Sequence, residues 1–93
     1  MVKSFKCKET EKLFHGRFSA KLSQAIQRTA GIKLKILNAA SMLETLRIPP
    51  SNNLEALHSD REGQHSIRIN KQWRICFVWK GSDAYEVEIV DYH

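Results

Sequence analysis

Apolar residues recur along this chain with two different periods, and the change between them divides it in half. From Ser19 to about Leu43 they return every three or four residues. Leu22, Ala25, Ile26 and Thr29 form one stripe, and Ile32, Ile36, Ala39, Ala40 and Leu43 extend it. That spacing predicts helix with the stripe turned to a core. Gly31 either divides the stretch into two helices or weakens one, at a cost of about 1 kcal/mol relative to Ala. Ahead of it, Lys8 to Phe14 reads as a short helix closed by Gly16, and Val2 to Phe5 as an edge strand. Pro49-Pro50 followed by Ser51-Asn52-Asn53 forbids further helix and predicts a surface turn.

Beyond that turn the period falls to two. Leu54 to Leu57 is a brief strand candidate, followed by a charged loop, His58 to Gly63. Gln64 to Asn70, Trp73 to Lys80 and Ala84 to Tyr92 are strands separated by short turns at Lys71-Gln72 and Gly81-Ser82-Asp83, which predicts an antiparallel meander. Side chains alternate across a strand. One face then holds His65, Ile67, Ile69, Trp73, Ile75, Phe77, Trp79, Tyr85, Val87 and Ile89, and meets the helices. The other holds Gln64, Ser66, Arg68, Asn70, Arg74, Cys76, Val78, Lys80, Glu86, Glu88, Val90 and Tyr92. The fold class is α+β: a short N-terminal strand and helices packed on one face of an antiparallel sheet.

Composition narrows the function. Ninety-three residues make one domain, 1–93, and 42% hydrophobic residues suffice for one core. Fifteen Lys and Arg against ten Asp and Glu give a net charge of +5, which favours polyanionic partners, nucleic acid first. Two cysteines, Cys7 and Cys76, in no metal-type spacing read as small buried residues of a reducing compartment. Lysines interrupt the N-terminal segment, so no signal peptide is expected, and no apolar run approaches a membrane span. The expected location is the cytoplasm.

The candidate chemistry sits in the second half. Arg68 and Arg74 fall on one sheet face, where solvated charges and a phosphate clamp are the two readings. Asp91-Tyr92-His93 ends the chain with a carboxylate beside an imidazole, a pairing that fixes a tautomer and suits a general acid. His58 lies in a polar loop. His65 falls on the apolar face and reads as a satisfied core histidine. A metal site built from His58, His65 and Asp91 lacks a recognised spacing. Neither a phosphate-cradling glycine loop nor a nucleophile elbow occurs, so no cofactor or metal is expected.

The run Ser66-Ile67-Arg68-Ile69-Asn70-Lys71-Gln72-Trp73-Arg74-Ile75-Cys76-Phe77-Val78-Trp79, the ending V-E-I-V-D-Y-H at Val87 to His93, and L-R-x-P-P at Leu46 to Pro50 resemble the HigB toxins of the RelE/ParE superfamily. Asp60-Arg61-Glu62-Gly63 and the Ser4-Phe5 start share in the resemblance, which spans nearly the whole chain. It implies a ribosome-dependent mRNA endonuclease that acts in the A site without metal, through attack of the RNA 2′-hydroxyl to leave a 2′,3′-cyclic phosphate. It also implies a HigA-type helix-turn-helix antitoxin as partner, with operator DNA reached through that complex, and no membrane. By the same resemblance Arg68, Arg74, Asp91, Tyr92 and His93 are the catalytic set, with His58 a supporter. Arg61, Lys71 and Lys80 are expected RNA contacts. Some members carry a His and a Lys ahead of the S-I-x-I strand; Glu55 and His58 fall there in this chain, which leaves the general base open. A gyrase-poisoning ParE-like toxin and a non-cleaving RNA- or ribosome-binding protein are the rival readings.

Overall fold

A computed structural model describes residues 1–91. Two helices, α1 (Lys8–Phe14) and α2 (Gln24–Ala39), precede four strands: β1 (Glu55–Ala56), β2 (Gln64–Arg68), β3 (Trp73–Lys80) and β4 (Asp83–Asp91). The strands form one antiparallel sheet in the order β1-β2-β3-β4, the meander that the short turns predict. Single turns of 3-10 helix at Leu43–Arg47, Pro50–Asn52 and Ser59–Arg61 fill the connections.

The core lies between the helices and one sheet face. Leu34 and Leu37 of α2 are fully buried with Ile67, Ile75, Phe77 and Val87 of the sheet. Each such side chain contributes about 1.5–3 kcal/mol by leaving water. Thr10 of α1 is buried too, and its Oγ1 accepts a hydrogen bond from Ile89 N at 3.0 Å, which fixes α1 against β4.

Three expectations need correction. First, α2 is a single helix that runs through Gly31 and starts at Gln24 rather than Ser19. Its buried face is Ile26, Ala30, Lys33, Leu34 and Leu37, whereas Ala25, Thr29 and Ala39 are exposed and Ile32 is 52% exposed. Ile26 and Ala40 of the predicted stripe are buried, and Leu22, Ile36 and Leu43 pack against the core; the stripe departs from the buried face because it excluded a lysine from the core. Lys33 is buried because its ammonium donates to Asn52 Oδ1. Asn52 is itself fully buried within the expected surface turn, and its amide donates to Leu46 O and Ile48 O at 3.1 and 3.3 Å.

Second, Tyr85 leaves the core face. Cys76 pairs with Glu88 but Val78 pairs with Tyr85, so β4 holds one extra residue there. Glu86 takes φ +54, and the β-bulge reverses the alternation on either side of it. Ala84 is buried in the place that strict alternation gives to Tyr85. Third, Val2 to Phe5 forms two isolated parallel bridges to β4, Val2 with Ala84 and Phe5 with Val87. The interruption coincides with the bulge, where Ser4 Oγ accepts from Glu86 N at 2.9 Å and Ser4 O accepts from Val87 N at 3.1 Å. Of the cysteines, Cys76 is buried and Cys7 only half-buried. No helix among the described residues is long and apolar enough to cross a membrane.

Candidate functional site

The turn that joins β2 to β3 is held by Asn70, whose Oδ1 accepts from the N–H groups of Gln72 and Trp73, both at 2.8 Å. An Asn side chain that substitutes for a backbone acceptor fixes such turns, and the turn fixes the register. Arg68 thereby stands directly opposite Arg74, with Ser66 opposite Cys76. The two arginines share the face turned away from the helices.

Arg74 departs from the solvated side chain that alternation suggests. It is 7% exposed. Its Nε donates to Ser66 Oγ at 2.7 Å, and its Nη2 donates to Asn53 O at 2.7 Å and to Ser66 O at 3.5 Å. Glu55 Oε2 stands 3.9 Å from the same nitrogen. Burying a guanidinium is tolerated when hydrogen bonds replace water, and these contacts do so. Asn53 reaches it through a left-handed backbone conformation, φ 45, which asparagine adopts at low cost. Arg68 is half-buried; its Nε donates to Asn70 O at 3.0 Å, and its terminal nitrogens take no partner among the described residues.

Like charges directly opposite each other on two strands are destabilising. This pair stands because protein oxygens fix Arg74 and the Glu55 carboxylate lies beside it. An anion bound between the two would remove the remaining repulsion and engage the outward N–H groups of Arg68, whose planar fork suits phosphate.

The remaining predicted residues distribute unevenly. Arg61 is engaged within the protein: its Nη1 donates to Glu88 Oε1 at 2.8 Å and to Gln64 Oε1 at 3.1 Å, and Lys6 adds a contact to Glu88 at 3.8 Å. The Glu88 hydrogen bond raises the Arg61 pKa further, against the opposing effect of burial. Nη1 of Arg61 is thus committed within the protein. Lys71 is exposed on the β2–β3 turn, beside the arginine pair. Lys80 is not: it lies six residues along β3 from Arg74, about 20 Å, with its ammonium 5.8 Å above the Tyr85 ring.

His58 is exposed, three residues past Glu55, so about 10 Å farther along the chain at strand spacing. The register of β1 with β2 thus sets Glu55, which pairs with Ser66, beside the arginines in place of His58. Asp91 pairs with Trp73, so by alternation it shares the helix-side face, and its Oδ2 accepts from Gln72 Nε2 at 3.0 Å. Tyr92 and His93 lie outside the described residues. His65 stacks on Phe77 at 6.2 Å, but its Nδ1 is buried and has no hydrogen-bond partner among the described residues, unlike the satisfied core histidine expected. Cys76 is fully buried and burial pushes its thiol pKa up, which disfavours the thiolate. Among the described residues no group of three His, Cys, Asp or Glu is placed to hold a metal ion.

Sequence reasoning missed the roles of Ser66 and Asn53 around Arg74. Ser66 was legible as the residue two before Arg68 on the same face; Asn53 sits at the end of the expected surface turn, just ahead of the strand candidate that carries Glu55 to the sheet.

Known proteins resemble this chain in sequence or in fold. The HigB toxin of Vibrio cholerae named HigB-1 is 39% identical over 80 residues, which cover 85% of this chain and 84% of that one. A Proteus vulgaris protein named endoribonuclease HigB is 35% identical over the full length of both chains. YafQ from Escherichia coli superposes with a TM-score of 0.66 at 12% identity, over 98% of this chain and 91% of its own. The YoeB–YefM toxin–antitoxin heterotetramer of Staphylococcus aureus matches with a TM-score of 0.59 at 17% identity, over 100% and 95% of the two chains. A family model for the RelE-like toxin HigB of type II toxin–antitoxin systems matches residues 3–93, and the chain belongs to that family.

Proposed function

We propose that this toxin is a ribosome-dependent endoribonuclease that cuts mRNA in the A site and is neutralised by a HigA-type antitoxin. The observation that carries the reading is the cross-strand pair Arg68–Arg74, one guanidinium held by Ser66 and Asn53 and the other with outward donors. The Proteus relative's name as an endoribonuclease and the antitoxin in the YoeB–YefM complex support it.

In the proposed reaction the RNA 2′-hydroxyl attacks the adjacent phosphorus. The P–O5′ bond breaks, a 2′,3′-cyclic phosphate forms, and the 5′-oxygen leaves with a proton. Two arginines supply the charge stabilisation that a metal ion supplies elsewhere, in the region where charge develops. Glu55 is a candidate acceptor of the 2′-hydroxyl proton. Asp91, Tyr92 and His93 keep the roles implied by the family ending, with His93 as proton donor to the 5′-oxygen. Lys71 extends the phosphate-binding face, and operator DNA is reached through the antitoxin complex. Brief expression followed by mapping of mRNA 5′ ends tests the reading. New ends within codons of translated messages are expected; intact messages with arrested translation would favour a non-cleaving ribosome binder, and DNA breaks at gyrase sites a ParE-like poison.

A further inference from the structure

The positive charge of this protein is not where its paired arginines are. Residues 1–35 hold nine Lys and Arg against two Glu, a surplus of seven; the remaining 58 residues hold six against eight, a deficit of two. The N-terminal segment, α1 and most of α2 therefore carry the whole net charge, although one of those cations, Lys33, is buried. On the helical side a cleft of about 350 Å³ is lined by Lys8, Glu11, Lys12, His15 and Arg17. Lys8 and Lys12 lie four apart along one side of α1, and His15 caps the helix at its C-terminal end; Thr10 and Leu13 are buried.

The acids nearby are already engaged. Glu9 receives the Ser19 hydroxyl and lies 3.3 Å from Lys12, while Glu11 faces His15 at 4.0 Å. Lys8 and Arg17 have no carboxylate partner among the described residues. The cleft also holds an aromatic ring, His15. His15 is 56% exposed, and its ring meets Phe14 edge-on at 5.3 Å while Phe14 rests on Phe5 at 5.2 Å.

We propose that this cleft is a second RNA-binding site, which takes the sugar–phosphate backbone of a single strand against Lys8, Lys12 and Arg17 and stacks one base on His15. Cations that follow a backbone beside an exposed ring on which a base can lie are the pairing that single-stranded nucleic acid requires. An acidic peptide would use the cations and leave the ring idle. The site lies on the helical side of the sheet, away from Arg68 and Arg74, so it contributes affinity and docking rather than chemistry. This inference goes beyond the cleavage reading and stands without it.

The test uses the full chain and a fluorescein-labelled 2′-O-methyl RNA 20-mer, which binds but lacks the attacking hydroxyl. The triple variant Lys8→Gln, Lys12→Gln, Arg17→Gln alters exposed side chains and should melt within a few degrees of the parent. Its affinity should fall at least tenfold at low salt, and the slope of log K against log salt should become shallower by about 2, since three lost contacts release about 0.7 counterion each. His15→Ala should weaken binding about tenfold with little change in slope. Arg68→Ala should change the slope by less than one. Unaltered affinity and slope in the triple variant would overturn the proposal, as would displacement of the RNA by length-matched poly-aspartate as effectively as by unlabelled RNA. Failure to cut mRNA leaves these binding results untouched, so the two readings fail separately.

Discussion

The two basic regions of this toxin hold their charge in opposite ways. Arg74 is buried and tied by Ser66 and Asn53, so its guanidinium has one orientation. The cations of the α1 cleft sit on exposed, flexible stems, with Lys12 46% exposed and paired at the surface. A charge fixed before the reaction costs no reorganisation when a transition state forms, and that is what catalysis needs. Mobile surface charge gives a broad attractive field that salt screens, and that is what docking needs. Net charge alone does not distinguish the two, because the sheet half is slightly acidic.

The strongest challenge to this contrast is Arg74→Ala. It leaves Ser66 Oγ and Asn53 O without their donor and opens a buried gap, so stability should fall by about 2–3 kcal/mol in chemical denaturation. Cleavage should be lost as well. A solvated arginine on the sheet face, by contrast, would be removed with the fold intact. An unchanged denaturation midpoint would show that Arg74 is not the fixed element described here.

Arg68→Ala should separate activity from stability. Its loss relieves the like charge opposite Arg74 and removes one hydrogen bond to Asn70 O, so stability should move by less than about 1 kcal/mol. Cleavage should fall by about 30- to 1000-fold, the equivalent of 2–4 kcal/mol of lost charge stabilisation. Single-turnover cleavage on translating ribosomes, beside a melting curve, measures both.

A smaller effect concerns acid stability. The Ser19 hydroxyl, ahead of Lys12, holds the Glu9 carboxyl below the ordinary glutamate value despite some desolvation. A group with a lowered folded pKa contributes fully above its unfolded value, and the contribution disappears as pH falls through the folded one. Glu9→Gln should therefore make unfolding less dependent on pH across that acidic window and leave the slope near neutrality alone. Identical acid titrations of the two proteins would remove Glu9 from the account. Least affected should be Lys80→Ala, which lies at the far end of β3: cleavage should change by less than about twofold, and a loss comparable to that of Arg68→Ala would mean that the RNA path runs the length of the sheet.

Much of this arrangement can be read from the chain. The Lys71-Gln72 turn is short enough to set Arg68 against Arg74, and alternation then assigns the faces of β2 and β3. Alternation fails at Glu86 because a bulge formed by a non-glycine residue at positive φ has no sequence marker, and its stabiliser, Ser4, is 82 positions away. The burial of Arg74 was equally hidden. Its cover comes from Asn53 and Glu55, and only the folded path of that segment brings them over β3. The α2 face was misread for a different reason: a buried lysine satisfied by a distant asparagine looks, in sequence, like a solvated charge.

The N-terminal segment has a consequence for assembly. Lys3 N and Lys6 N donate to Ala84 O and Val87 O, while Ala84 N and Val87 N donate to Met1 O and Ser4 O. The outer edge of β4 is thus occupied by the chain's own first residues, and the opposite edge of the sheet is β1, two residues long. Little backbone is left for a foreign strand to pair with, which guards against edge-to-edge aggregation. It also means that a protein that blocks this toxin gains little by adding a strand and must instead cover side chains on a face.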